Sequence, residues 1–63
     1  MAKIERDVWS DDDGNLTATE ATKLASVVHD DDAPYGYCKH VWRVNAPTNR
    51  QAMKLYRQKL KAN

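Results

Sequence analysis

Large apolar side chains are scarce in this chain, and that scarcity limits what it can fold into. Its 63 residues include no Phe and a single cysteine, Cys38, so no disulfide within the chain can supplement a core. The core of so small a domain usually supplies only about 3–5 kcal/mol. We expect one domain over residues 1–63, and a homodimer or a partner would bury more apolar surface. The candidate core residues are Ile4, Val8, Trp9, Leu16, Leu24, Val27, Val28, Val41, Trp42, Val44, Met53, Leu55, Tyr56 and Leu60.

Targeting signals and membrane segments are not evident in the sequence. No stretch approaches the ~20 apolar residues of a membrane span or the apolar run of a signal peptide. An unpaired cysteine suits a reducing compartment. These features predict a cytoplasmic protein without membrane contact.

Charge is divided sharply along the chain. Residues 1–32 hold three cations and all nine acids, a net charge of −6, whereas residues 33–63 hold seven cations and no acid, +7. Such asymmetry is typical of chains that contact nucleic acid or a charged partner. Attraction between the two halves within one compact domain is the simpler alternative.

Two segments have the signals of a helix start. Thr17 to Glu20 fits a capping box, and an apolar stripe follows it, which predicts a first helix ending near His29. A second box, Thr48 to Gln51, follows Pro47 and predicts a second helix that continues to the chain end. The apolar residues of the two stripes are Ala21, Leu24, Ala25 and Val28 in the first, and Ala52, Met53, Tyr56 and Leu60 in the second.

Two further segments are predicted to be strands, Ile4 to Trp9 and Tyr35 to Asn45, with a turn over Ser10 to Asn15. A short extra strand around Leu16 is left open. The fold class is therefore α+β: a small two-layer domain in β-α-β-α order, with two helices on one face of a sheet of two or three strands. Alternation along the second strand puts Cys38, His40, Trp42 and Val44 on one face, and Tyr37, Lys39, Val41 and Arg43 on the other. Glu5 and Asp7 of the first strand could pair across the sheet with Lys39 and Arg43.

The turn after the first strand resembles a calcium-binding EF-hand loop. Counted from Trp9, the matching residues are Asp11, Asp13, Gly14, Leu16, Thr17 and Glu20, at loop positions 3, 5, 6, 8, 9 and 12. Position 1 departs from the pattern, because the indole of Trp9 cannot bind calcium. A polar turn with a capping box explains the same residues, so we expect no metal and keep a degenerate calcium loop as a remote alternative.

Catalysis is not predicted. His29, Cys38 and His40 supply only half of a structural zinc site. Cys38 and His40 could form a nucleophile and base, but no orienting group or oxyanion hole is evident. We expect a protein that is not an enzyme and that has no cofactor.

The second predicted helix carries the most regular functional pattern. At 100° per residue, Arg50, Lys54, Arg57 and Lys61 lie within a stripe about 60° wide and about 16 Å long. Cations three and four residues apart repel each other, and a surface that tolerates them often meets phosphate or carboxylate. The stripe therefore predicts a polyanion-binding module, with nucleic acid as first choice, an acidic protein surface as second, and a merely solvated face as the alternative. The polyanion-binding set also includes the interleaved basic and aromatic residues Lys39, Arg43 and Tyr37.

An alternative function uses the acidic residues or the basic face against another protein. The stretch from Val44 to Leu55 resembles the strand-to-helix join of many small bacteriophage α+β proteins. That resemblance implies an accessory protein that regulates a host or partner protein, and it transfers no site. The candidate acidic face comprises Asp11, Asp12, Asp13, Asp30, Asp31 and Asp32.

Overall fold

A computed structural model describes residues 3–62 and contains one antiparallel three-stranded sheet and one long helix. The elements are β1 (Ile4–Ser10), β2 (Leu16–Glu20), β3 (Lys39–Ala46) and α1 (Asn49–Ala62), and β1 is the central strand. The segment between β2 and β3 holds two 3-10 turns, Ala25–Val27 and Asp30–Asp32. The α+β class is confirmed, but the β-α-β-α order is wrong, because the described chain forms a β-hairpin, a third strand and a single helix.

The hairpin between β1 and β2 is closed by the predicted polar turn. The Asp11 carboxylate accepts hydrogen bonds from the backbone N–H of Asp13 and from both the backbone N–H and the side-chain amide of Asn15. These bonds, the Asn15 side-chain bond first, lower the pKa of Asp11. Gly14 has φ +87°, a conformation that favours glycine. The chain then reverses and pairs Leu16 with Ser10, so the short strand around Leu16 does form.

The helix predicted from Thr17 to His29 is not present. Residues 16–20 are β2 instead, with Thr17 and Thr19 pairing with Trp9 and Asp7 across the hairpin. β-branched threonines suit a strand, and the capping-box pattern is equally compatible with alternation along one. The apolar stripe predicted after Glu20 is half alanine, so it offers too little apolar area to hold a helix on the sheet.

β3 is shorter than predicted at its start and contains an irregularity. Tyr37 N–H donates to the Pro34 carbonyl, and Gly36 has φ +90°, so the Pro34–Tyr37 segment forms a turn before the strand. Val8 pairs with Trp42 but Trp9 pairs with His40, so the pairing passes over Val41. A bulge of one residue changes the face on which the preceding side chains lie. The predicted assignment of His40 to the face of Trp42 and Val44 is therefore wrong, and its ring lies with Arg43.

The core lies between α1 and one face of the sheet. Val8, Ala18, Ala46 and Ala52 are its buried members, and the residues packed around them are Leu16, Val41, Trp42, Val44, Met53, Leu55 and Tyr56. Ala46 and Ala52 have no exposed surface, so small side chains let the helix approach the strands closely. Of the predicted core residues, Ile4, Leu24, Val27 and Leu60 are exposed, which corrects that part of the prediction. Leu55, one of the predicted core residues, is half-buried against this core.

β1 is covered on both faces, although alternation predicts that one face is exposed. Arg6 and Val8 lie toward α1, whereas Asp7 and Trp9 point the other way, and all four residues are buried. On that second side the chain between β2 and β3 is attached to the sheet by Ala21 N–H to the Glu5 carbonyl and Cys38 N–H to the Ser10 carbonyl. Since α1 occupies the Val8 face, we attribute the burial of Asp7 and Trp9 to this segment.

α1 starts where the sequence predicts. The Thr48 hydroxyl accepts a hydrogen bond from Gln51 N–H at 3.1 Å, the bond expected of a helix-capping threonine. The buried Arg6 also holds the join between β3 and α1. Its guanidinium donates to the carbonyls of Ala46 and Pro47 and to the side-chain oxygen of Asn49, at 2.7–2.9 Å.

Candidate polyanion-binding face of the C-terminal helix

The predicted cationic stripe lies on the outer side of α1. We name Arg50, Lys54, Arg57 and Lys61 the basic face; all four residues are exposed. Ala52, the only buried residue of the helix, is about 170° away around the helix axis from the middle of this stripe. The basic face therefore points directly away from the sheet, and the helix presents it to solvent.

No acid lies on α1 to neutralise these cations. Among residues 3–62, the ion pairs involve Lys23 with Asp32, Arg43 with Glu5 and Asp7, and His40 with Asp7, all outside α1. The fifth cation of the helix, Lys59, lies on the sheet side with its ammonium 5.9 Å from the centre of the Trp42 ring. Within residues 3–62 all five cations of the helix therefore lack an acidic partner, and four of them form the basic face.

The remaining members of the predicted polyanion-binding set do not join this face. Arg43 points to the sheet face opposite α1 and is held by two carboxylates. Lys39 is exposed at the first residue of β3, about 23 Å along the strand from the join to α1, at ~3.3 Å per residue. Tyr37 lies half-buried in the turn before β3. The structure therefore brings together the four helix cations and separates Arg43 from them.

Most of the candidate acidic face is engaged in holding loops. Asp11 closes the hairpin turn, Asp12 accepts from the Cys38 thiol at 3.4 Å, and Asp30 accepts from His40 N–H at 2.9 Å. Asp32 accepts from the Lys23 ammonium and from His29 N–H, and these bonds, Lys23 first, lower the pKa of Asp32. Asp13 and Asp31 are exposed, and within the part of the chain that the structure describes their side chains make no hydrogen bond. The acids are therefore mainly structural.

The EF-hand pattern is folded as a strand, a turn and a strand rather than as a loop between two helices. The carboxylate of Asp11 is used by the turn itself, and Glu20 lies at the far end of β2, opposite Arg6. Across residues 3–62, no three His, Cys, Asp or Glu side chains are grouped as they would be around a metal ion.

A buried polar cluster on the second sheet face was not predicted as a unit. The Asp7 carboxylate accepts from Arg43 Nε at 2.6 Å, from a second guanidinium nitrogen at 3.1 Å and from the His40 ring Nε2 at 2.8 Å. The Asp7 bond, before all other causes, raises the pKa of the Arg43 guanidinium. The His40 ring meets Trp9 edge to face, with centroids 4.9 Å apart, and the Trp9 indole N–H donates to Thr19. The expected pairing of Asp7 with Arg43 is confirmed. The bond from His40 to Asp7 was not predicted, because the bulge in β3 places the His40 ring on the face opposite to the one that alternation assigns.

Cys38 and His40 do not form a nucleophile–base pair in the structure. The His40 ring is bonded to Asp7, whereas the Cys38 thiol donates to the Asp12 carboxylate. That hydrogen bond is the largest cause that raises the pKa of the Cys38 thiol, and the negative charges of Asp12, Asp11 and Asp30 add to it. A raised pKa keeps the sulfur as the less reactive thiol at neutral pH.

The raised pKa predicts slow alkylation of Cys38. At pH 7.5 we expect iodoacetamide to modify it more slowly than free cysteine, with the rate climbing at higher pH as the thiolate forms. Asp12→Asn removes the nearest negative charge, so it should speed the reaction severalfold. Asp13→Asn, one residue away without contact to the thiol, is the matched control and should leave the rate unchanged. An Asp12→Asn protein that reacts no faster than wild type would contradict the assignment.

Comparison of the chain with models of protein families, with curated proteins and with solved structures gave no match. No pocket was found on the surface of residues 3–62. In the same residues, no helix is long and apolar enough to cross a membrane, α1 having 14 residues of which five are cations. The chain is therefore described by its fold, as a small α+β protein with a three-stranded antiparallel sheet, one helix and a cationic outer helix face.

Proposed function

We propose that this protein is a cytoplasmic, non-enzymatic binding module whose basic face contacts a polyanion, with nucleic acid as the partner. The observation that supports this most directly is the alignment of four exposed cations on α1 without any acid on the same helix. The cytoplasmic assignment rests on the lone, unpaired Cys38, which suits a reducing compartment.

The dimensions of the basic face suit a nucleic-acid backbone. Arg50 and Lys61 are eleven residues apart, about 16 Å along the helix axis. A DNA duplex of that length carries roughly ten phosphate charges, at one per ~1.7 Å. Four cations can neutralise several of them at once, and the release of condensed counterions then drives association.

The arrangement of the basic face also has a cost that binding would offset. Arg50 with Lys54, Lys54 with Arg57 and Arg57 with Lys61 are neighbours on the helix surface, and each like-charge pair destabilises the helix by a few tenths of a kcal/mol. Arg50 lies in the first turn, where the helix dipole disfavours a cation. An anionic ligand relieves both effects.

Charge reversal on the basic face tests the proposal. Arg50→Glu, Lys54→Glu and Arg57→Glu together change the charge by −6 and leave the apolar contacts of Met53 and Tyr56 in place. The helix should persist, because Glu is nearly as good a helix former as Lys or Arg. We expect the triple variant to lose binding to a short duplex or single-stranded oligonucleotide, measured by fluorescence anisotropy at ~50 mM salt.

A conservative variant and a salt titration sharpen this test. Arg50→Lys with Arg57→Lys keeps every charge and should keep most of the affinity. The wild-type affinity should fall with a log–log salt slope of roughly −3 to −4, as four duplex phosphate contacts at about −0.9 each require. Absence of salt-dependent binding by the wild type to any nucleic acid at ~50 mM salt would refute the proposal.

An acidic protein surface is the second candidate, since the same basic face would receive carboxylates. Loss of a purified acidic partner by the triple variant, without nucleic-acid binding by the wild type, would favour it. The accessory-protein hypothesis that uses the acidic residues is weaker, because Asp11, Asp30 and Asp32 are committed to hydrogen bonds within the chain. Retention of that partner by the triple variant and its loss on Asp31→Asn would instead favour the acidic residues.

A further inference from the structure

The two edges of the sheet differ in how they are protected. β1 is the central strand, so β2 and β3 are the edge strands. At the start of β3 the His40 N–H donates to the Asp30 carboxylate, and the pairing of β3 with β1 is interrupted by the bulge at Val41. A covering loop and a bulge both keep an edge strand from pairing with another chain. Within residues 3–62 β2 has neither protection, and its five residues pair with β1 in continuous register.

The register of β2 shows which of its backbone groups face outward. Ala21, directly after the strand, donates its N–H to the Glu5 carbonyl of β1. Hydrogen-bonded and non-bonded pairs alternate along an antiparallel ladder, so Thr19 and Thr17 are the residues of β2 that bond to β1. The other three residues of the strand direct their backbone N–H and C=O away from β1; they are Leu16, Ala18 and Glu20.

These outward backbone groups are unpaired. Among residues 3–62, no hydrogen bond reaches the backbone N–H or C=O of Leu16, Ala18 or Glu20 on this side. Ala18 is only 5% exposed, so its two groups are also largely shielded from water. Buried backbone groups in native proteins almost always have a partner, because leaving one unpaired costs free energy. The outer edge of β2 is thus a row of donors and acceptors that a further strand would satisfy.

We infer that this further strand is β2 of a second copy of the chain, running antiparallel about a two-fold axis at Ala18. In that register Ala18 of one protomer pairs with Ala18 of the other, and Leu16 pairs with Glu20 at both ends of the contact. Each outward N–H of one strand then meets an outward C=O of the other. The two sheets become one continuous sheet across a closed contact in which both protomers use the same surface.

The side chains of β2 suit pairing of this strand with itself. On the face away from α1, Thr17 of one protomer lies opposite Thr19 of the other, and threonine pairs across strands are stabilising. The two Glu20 carboxylates stand at opposite ends of the contact, four residues or about 13 Å apart along the strand, which is more than one Debye length. β2 also contains no Lys or Pro, which are common protections of an edge strand.

This dimer goes beyond the proposed function and would enlarge its surface. The two-fold axis between antiparallel strands of one sheet is perpendicular to that sheet, so both copies of α1 lie on the same side. Because each basic face points away from its own sheet, the two sets of four cations point the same way. A dimer that binds nucleic acid should therefore show a steeper salt dependence than the four contacts of one chain give.

Amide hydrogen exchange in the wild type tests the contact without any substitution. Sedimentation equilibrium first gives the dissociation constant, and exchange is then compared at chain concentrations above and below it. The outward amides of Ala18 and Glu20 should exchange at least tenfold faster below the dissociation constant, because dilution removes their partner strand. The amides of Thr17 and Thr19 bond to β1 in either state, so they are the internal control and should change little.

A proline at the edge tests the same hydrogen bonds by mutation. The Glu20 N–H points outward, so Glu20→Pro removes a donor to the second protomer without breaking a bond to β1, and proline is tolerated at such positions. We expect sedimentation equilibrium to show self-association at least tenfold weaker than in the wild type, with an unchanged circular dichroism spectrum. Glu20→Ala removes the same charge but keeps the N–H, and as the matched control it should associate like the wild type.

Three results would overturn the dimer. They are a wild type that stays monomeric up to ~1 mM, a folded Glu20→Pro protein that associates like the wild type, and a self-association that leaves exchange of the Ala18 amide unchanged. None of these measurements uses nucleic acid. A wild type that dimerises through β2 without binding nucleic acid would refute the proposed function alone, and one that binds nucleic acid as a monomer would refute the dimer alone.

Discussion

Asp7→Ala is expected to unfold the protein at 25 °C. The Asp7 residue is 3% exposed, and its carboxylate accepts three hydrogen bonds from Arg43 and His40. Removing one partner of a buried ion pair costs about 3–5 kcal/mol, because the other charge is left without compensation. That loss equals the whole stability expected from a core of this size, about 3–5 kcal/mol. Circular dichroism and amide NMR spectra should show an unfolded chain.

Loss of the Asp7 carboxylate is severely destabilising because no other group can replace it. The Arg43 side chain is only 12% exposed and keeps only Glu5, whose own side chain is 61% exposed. Exposed ion pairs contribute about 0–1 kcal/mol, so Glu5 cannot compensate a buried guanidinium. His40 would lose its only hydrogen-bond partner on the ring nitrogen Nε2 among the described residues, and its ring also supports Trp9.

A matched variant and a rescue make the test specific. Glu5→Gln removes a negative charge from the same cation, yet its urea midpoint should stay close to the wild-type value. Replacing the pair together, with Asp7→Leu and Arg43→Met, removes both charges and should recover a folded protein, since well-packed apolar residues often replace a buried ion pair without loss. An Asp7→Ala protein within 1 kcal/mol of wild type in urea titrations would show that the cluster contributes little.

Local signals in the sequence were enough for part of the fold. The Asp13-Gly14-Asn15 turn and the Thr48 cap each act within a few residues, so the hairpin turn and the start of α1 were predictable. The segment from Thr17 to Val28 has a helical pattern, but pairing with β1 prevailed over it. That pairing depends on β1 and on the turn that joins it to β2, whereas a capping pattern covers only four residues.

The candidate site, like the fold, was predictable only in the part that depends on local sequence. The basic face follows from helix periodicity alone, so Arg50, Lys54, Arg57 and Lys61 were predicted together and lie together. Arg43 was placed in the polyanion-binding set, although its partner Asp7 comes from another strand and neutralises it. The bulge at Val41 moved His40 to the Arg43 side, and no pattern in the sequence marks a one-residue irregularity of this kind.

Each face of β1 carries one buried charge, and the two charges have partners of different kinds. These charges explain how a chain with few large apolar residues specifies one register of its sheet. Asp7 pairs with cations on one side. Arg6, on the other, is hydrogen-bonded to neutral oxygens at the start of α1. Charged groups with fixed partners disfavour a shift of β1 by one residue, because the shift would place each charge on the wrong face.

Arg6→Lys and Arg6→Met are each expected to destabilise the protein by about 3 kcal/mol. Hydrogen bonds to charged groups contribute about 1.5–3 kcal/mol, and buried acceptors left without a donor cost about 1–3 kcal/mol. Lys keeps the charge, but its single ammonium lacks the planar fork that reaches Ala46, Pro47 and Asn49 together. Met leaves all three oxygens without this donor. Urea unfolding measures the loss, and Arg50→Met, the same change on the exposed basic face, should stay within about 0.5 kcal/mol of wild type. Equal stability of the Arg6 and Arg50 variants would mean that the guanidinium of Arg6 does not hold the helix to the sheet.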